Sequence, residues 1–178
     1  MAARHGKLFR AATAGRWRSG VTAIETALVM PPFLLLSFGI IEVSILYLAA
    51  STLEGQVAIA ARQIRTGNIQ SSGDPLADFR ELLCGGQTFV NCDKLIIDVR
   101  NFSSFGAVTY PDYFDEDGEA ENNTFDPGGA GDTVLVRVAY QWQILTPFLA
   151  PYLGDGGNTK LLHAAAVFRT EPYNGAIN

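Results

Sequence analysis

Uncharged positions dominate the chain from Val21 to Leu53. Between Glu25 and Glu42 stand sixteen consecutive uncharged residues, TALVMPPFLLLSFGII, and a second uncharged run extends from Val43 to Leu53. A bilayer core takes about 20 apolar residues in helix, so Ile24 to Leu46 can span it with an acid near each edge. At about 1.5 Å per residue, Glu25 lies about 6 Å and Glu42 about 32 Å from Val21. Neither carboxylate then sits at the bilayer centre, where a charge costs several kcal/mol. Pro31 and Pro32 fall inside the span. Neighbouring groups in a membrane can re-satisfy the freed carbonyls, which leaves either a tolerated kink or a flexible point.

The helical pattern continues past the membrane. Leu46, Ala50, Leu53, Val57, Ala60 and Ile64 recur at alternating spacings of four and three, a seam of period 3.5. Gly67-Asn68 supplies a C-terminal stop, so one helix is predicted from Val21 to Thr66. Its projecting seam can pack on the protein's own sheet, which accounts for most of it, or on another subunit. Asp74-Pro75 then reads as N-cap and first helical position of a short helix. Leu76, Phe79, Leu82 and Leu83 are its apolar stripe, and Gly85-Gly86 closes it.

Three alternating patterns follow. Leu95, Ile97 and Val99 alternate with Asp98 and Arg100. Val134, Val136, Val138, Tyr140, Trp142 and Ile144 alternate with Arg137, Gln141 and Gln143. Leu162, Ala164, Ala166 and Phe168 alternate with His163 and Arg169. The alanines leave room for a helix to lie close. Long connections, 103–132 and 147–160, separate the strands. The predicted fold is α+β: a basic arm over 1–20, a transmembrane and projecting helix over 21–67, and a small antiparallel β-sheet domain over 68–178.

Charge sharpens this picture. Residues 1–20 carry five basic residues (Arg4, Lys7, Arg10, Arg16, Arg18) and no acid, leaving eight basic against all eighteen acidic residues for the rest, a balance of −10. The cationic arm, set against Arg62 and Arg65 after the span, predicts a cytoplasmic N-terminus and an extracytoplasmic body. So acidic a body excludes general nucleic-acid binding, and 48% hydrophobic with 17% charged residues excludes overall disorder. A cleaved secretory signal is the alternative reading of the start. Its apolar region would be 7–15 residues, about half of what is present, and Leu48 fits poorly beside Ala49-Ala50-Ser51. Cys84 and Cys92, with seven residues between them and outside the cytoplasm, are predicted to form a disulfide.

Candidate chemistry is sparse. Asp112 to Glu121 holds six acids in ten residues. Placing Gly118 at position six of a calcium loop puts Tyr113 at position one and Thr124 at position twelve, which fails the pattern and leaves a solvated loop. The body's one histidine, His163, sits mid-strand, and no G-x-S-x-G turn accompanies it. Gly128-Gly129-Ala130-Gly131 lacks the lysine and helix of a phosphate loop. No catalytic residue, metal site or cofactor is predicted.

Residues 16–62, RWRSGVTAIETALVMPPFLLLSFGIIEVSILYLAASTLEGQVAIAAR, resemble the TadE-like family of tight-adherence (Tad/Flp) pilus pseudopilins. The resemblance is carried by the basic arm, the Ser19-Gly20 junction, Val21-Thr22-Ala23-Ile24-Glu25 and the long apolar helix. The closing Arg169-Thr170-Glu171-Pro172-Tyr173 is loosely similar as well. The resemblance implies a pilin-like architecture in a bacterial inner membrane, with the C-terminal domain in the periplasm. It also implies other pilin or pseudopilin subunits and pilus assembly proteins as partners. Cleavage by a prepilin peptidase after Gly20 is implied too, with Glu25 at the matching distance downstream. Such cleavage would remove all five cations and create an α-amino group on Val21 that Glu25 could neutralise. The alternative function is a single-pass periplasmic binding or scaffold module unrelated to pili.

Overall fold

The computed structural model describes residues 16–86, 89–114 and 124–173, which fall into two compact units, Met1–Ile41 and Glu42–Asn178. The elements are α1 (Arg16–Arg65), α2 (Pro75–Cys84), β1 (Ile96–Phe102), β2 (Thr133–Gln143), α3 (Ala150–Leu153) and β3 (Thr159–Arg169). The architecture is the expected α+β one, a long apolar N-terminal helix followed by a three-stranded antiparallel sheet. α1 begins five residues before Val21. A single interior glycine costs about 1 kcal/mol, too little at Gly20 to start the helix afresh.

In the first unit, α1 runs unbroken through Pro31 and Pro32. The hydroxyls of Thr26 and Ser37 donate to Thr22 O and Phe33 O, binding carbonyls one turn back. Apolar side chains are exposed all round this stretch, among them Ile24, Leu28, Phe33, Leu36 and Ile40. A helix apolar on every side needs an apolar surrounding. Among the described residues α1 is the one helix long and apolar enough to cross a membrane, with a window of mean hydropathy 2.2.

In the second unit the sheet order is β1-β2-β3, with Ile97 opposite Val138, Val99 opposite Val136, and Val138 opposite Ala164. One sheet face contributes Ile97, Val99, Val134, Val136, Val138 and Ala164 to a core that also holds Leu53, Val57, Ala60, Ala61 and Ile64 of α1 and Phe79 and Leu83 of α2. Asp74 caps α2 by accepting from Ala77 N at 3.1 Å, with Pro75 first in the helix. The long β1–β2 connection returns to the outer edge of β1. There Val99 N donates to Thr124 O and Asp126 N to Val99 O, and the Phe125 ring packs at a tilt against Phe79, 5.3 Å between centroids.

The end of α1 is a Schellman turn. Gly67 has φ +81°, its N–H donates to Ile64 O, and Asn68 N donates to Gln63 O. The closing segment latches here. Glu171 N donates to Arg65 O at 2.9 Å, the Arg65 and Glu171 side chains pair at 3.2 Å, and the Tyr173 ring lies over Gly67. Helix and last strand are thereby joined through a helix-end carbonyl that would otherwise lack a protein partner.

Candidate functional site

The head of α1 carries Gly20, Val21 and Glu25 along an exposed surface. Val21 and Glu25 are four residues apart and so share one helix face. A Cβ added at Gly20 would meet no described atom within 4 Å. Nothing in the described chain therefore requires glycine at this position, and alanine would serve the helix better by about 1 kcal/mol.

Farther along, the period-3.5 seam divides by depth. Leu53, Val57, Ala60 and Ile64 are buried in the core, while Leu46 and Ala50 are half-buried against it. Ala49 and Ala61, outside the strict repeat, are buried as well, because a straight helix of 3.6 residues per turn drifts off a 3.5 seam. The seam is occupied inside the chain. Ser51, Glu54, Gly55, Ala58, Ile59 and Arg62 face outward instead.

Between head and seam lies a residue whose role the sequence did not reveal. Glu42, expected to mark the edge of the span, is 6% exposed, and its carboxylate accepts Leu145 N at 2.5 Å and Thr146 N at 3.0 Å. Both oxygens are used on backbone donors just after β2. The available signal was its isolation: Glu42 is the one charge between Thr26 and Leu53, and a lone acid in so apolar a run needs a partner.

These features, an exposed apolar helix with Gly20 and Glu25 at its head and a seam behind it, coincide with a known sequence family. Residues 20–62 match the TadE-like protein family. No curated protein and no solved structure matches the chain. The TadE-like segment covers about a quarter of the sequence and contains Gly20, Val21, Glu25, Glu42 and the seam up to Ala60; Ile64 lies just beyond it.

Outside the TadE-like segment the structure joins Cys84, at the end of α2, to Cys92 in the turn leading to β1, with a Cα–Cα distance of 5.9 Å. Loop-closure entropy over so short a segment gives about 2–3 kcal/mol. Purified protein should accept no alkylation until reduced, then two per chain, and reduction should lower its stability by about that amount. Two thiols reactive before reduction would refute the bond.

The polar sides of β1 and β2 depart from simple alternation. Asp98 and Arg137, directly opposite in register, are both buried on the sheet face away from the main core. Arg137 Nε and Nη2 donate to Asp98 Oδ2 at 3.0 and 2.5 Å, and Arg100 Nε donates to Oδ1 at 2.7 Å. Arg137 Nη1 donates to Pro111 O, and the Tyr113 ring stacks 4.6 Å from the guanidinium carbon. Burial pushes the Tyr113 hydroxyl above the ordinary tyrosine range; Arg137 opposes that shift and Asp98 adds to it. His163 is exposed beside it, 6.4 Å from the Tyr113 ring. Most of the acidic stretch 112–121 lies outside the described residues, and among those described no cluster of three His, Cys, Asp or Glu could hold a metal.

Proposed function

We propose that this protein is a membrane-anchored, non-enzymatic component of tight-adherence pilus assembly or secretion, processed as a pseudopilin after Gly20. The observation that carries the proposal is the coincidence of the TadE-like match with a glycine at the head of an exposed apolar helix, at a position where a Cβ would meet none of the described residues. The N-terminus lies in the cytoplasm and the sheet-bearing unit in the periplasm, following the cationic arm. Its partners are other pilin or pseudopilin subunits, the assembly proteins that handle them, and a prepilin peptidase. Subunit contacts fall on the outward side of the projecting helix, since the seam is filled by the protein's own core.

Co-expression with a prepilin peptidase tests the reading. The chain should shorten by twenty residues and begin at Val21 on N-terminal sequencing. Gly20→Leu should abolish cleavage while the helix persists, because a Cβ at this exposed position meets no described atom and leucine is a good helix former. Glu25→Ala should still be cut, while adhesion that depends on the filament fails for want of a partner to the new amine. Full-length protein in the presence of active peptidase, together with normal adhesion by the Glu25 variant, would leave the alternative of a single-pass periplasmic scaffold.

A further inference from the structure

The connection between β2 and β3 is apolar where surface loops are ordinarily polar. Ile144 to Gly154, ILTPFLAPYLG, is eleven residues without a charge. Ile144 turns inward and is buried, whereas Leu145, Phe148 and Tyr152 are 78%, 59% and 77% exposed. The Phe148 and Tyr152 rings lie 6.3 Å apart, and Pro147 and Pro151 are exposed beside them. The first charge after the loop, Asp155, is drawn back toward β3 by Lys160 and by the Leu161 N–H.

Glu42 decides where this apolar surface sits. Its carboxylate holds the backbone of Leu145 and Thr146, and Glu42 is the residue at which the sixteen-residue uncharged run ends. On α1 immediately after it, Val43, Tyr47 and Leu48 are exposed too. The loop is thus tied to the residue that directly follows the uncharged run in the chain. Aromatic side chains with one polar end favour that depth.

We propose that the 144–154 loop is a membrane-interface anchor, with Leu145, Phe148 and Tyr152 seated in the headgroup–acyl boundary of the bilayer that α1 crosses. The inference rests on the span and not on the pilus role. It gives the sheet-bearing unit a second attachment besides α1. Glu42 is its positioning residue: by accepting both N–H groups it keeps a buried carboxylate satisfied and fixes the depth of the loop.

Lipid-borne quenching of a single tryptophan tests this in the full-length protein, with Trp17→Phe and Trp142→Phe, reconstituted in phosphatidylethanolamine–phosphatidylglycerol vesicles. Some vesicles carry lipid brominated near the carbonyl end of the acyl chain, which reads position 152, and others carry lipid brominated toward its methyl end, which reads position 33 near the middle of the span. With about 5–10 Å of insertion, Tyr152→Trp should emit to the blue of an aqueous tryptophan and lose about half its intensity to bromine. Phe148→Trp repeats the measurement should the first variant misfold. Phe105→Trp is the control in water: it is exposed and follows β1 at the end of the sheet opposite this loop. Phe33→Trp is the control in the span. Quenching at 152 and 33 but not at 105 supports the proposal. Quenching at 33 with an unquenched, water-like emission at 152 overturns it. An unquenched blue shift that grows with protein density overturns it in favour of a second copy covering the loop. No quenching at 33 removes the span, and the proposal with it.

Discussion

Asp98→Ala should destabilise the sheet-bearing unit by about 3–5 kcal/mol, because it strands the Arg137 guanidinium, 4% exposed, without its counter-charge. Thermal unfolding of the full chain in detergent should show a fall of roughly 10–15 °C. Arg137→Met should cost less, since Asp98 then keeps its bond to Arg100. Asp98→Leu combined with Arg137→Met should recover most of the loss, as apolar replacement of both partners removes the desolvation penalty together with the pairing. The Arg65–Glu171 pair supplies the contrast: both side chains are about half exposed, and breaking it should cost less than about 1 kcal/mol. An Asp98→Ala variant within about 1 kcal/mol of wild type would show that the buried pair contributes little to stability.

Gly67→Ala should cost about 2–4 kcal/mol, more than twice what an ordinary loop glycine would. Two effects add. The φ of +81° lies in the left-handed region, where an L side chain costs about 1–2 kcal/mol. A methyl at this position would also stand 2.4 Å from Cδ1 and 2.5 Å from Cγ of the Tyr173 ring. These atoms are at the base of the ring, so the whole ring must turn about χ1 or shift with its backbone to make room. The two contributions separate in a double-mutant cycle. In a Tyr173→Ala background the same substitution should cost only the backbone part, about 1–2 kcal/mol. Equal costs in both backgrounds would show that the ring contact contributes nothing.

What was legible in the sequence is what repeats locally. The uncharged run, the 3.5-residue seam, the Asp74-Pro75 start and the Gly67 stop all lie within one or two helical turns of the residues they govern. Their outcome follows from backbone geometry before any tertiary contact forms. The three strands were legible for the same reason, since Val134 to Trp142 alternates whatever the sheet is packed against. Cys84 and Cys92 are close enough in sequence for a short turn to bring them together.

Tertiary structure alone decided the pairings across the chain. Alternation places Asp98 and Arg137 on a face of the sheet but does not say that Pro111 and Tyr113 cover that face, which turns two surface charges into a buried pair. Glu42 meets Leu145 across 103 positions, and Tyr173 meets Gly67 across the whole sheet-bearing unit. Gly20 and Glu25 show the converse. Among the described residues none stands within 4 Å of a Cβ at Gly20, and Glu25 is exposed, so only the local pattern marks them. A periodic pattern reports which face a residue occupies. What lies opposite that face depends on how distant segments pack, and no local period records it.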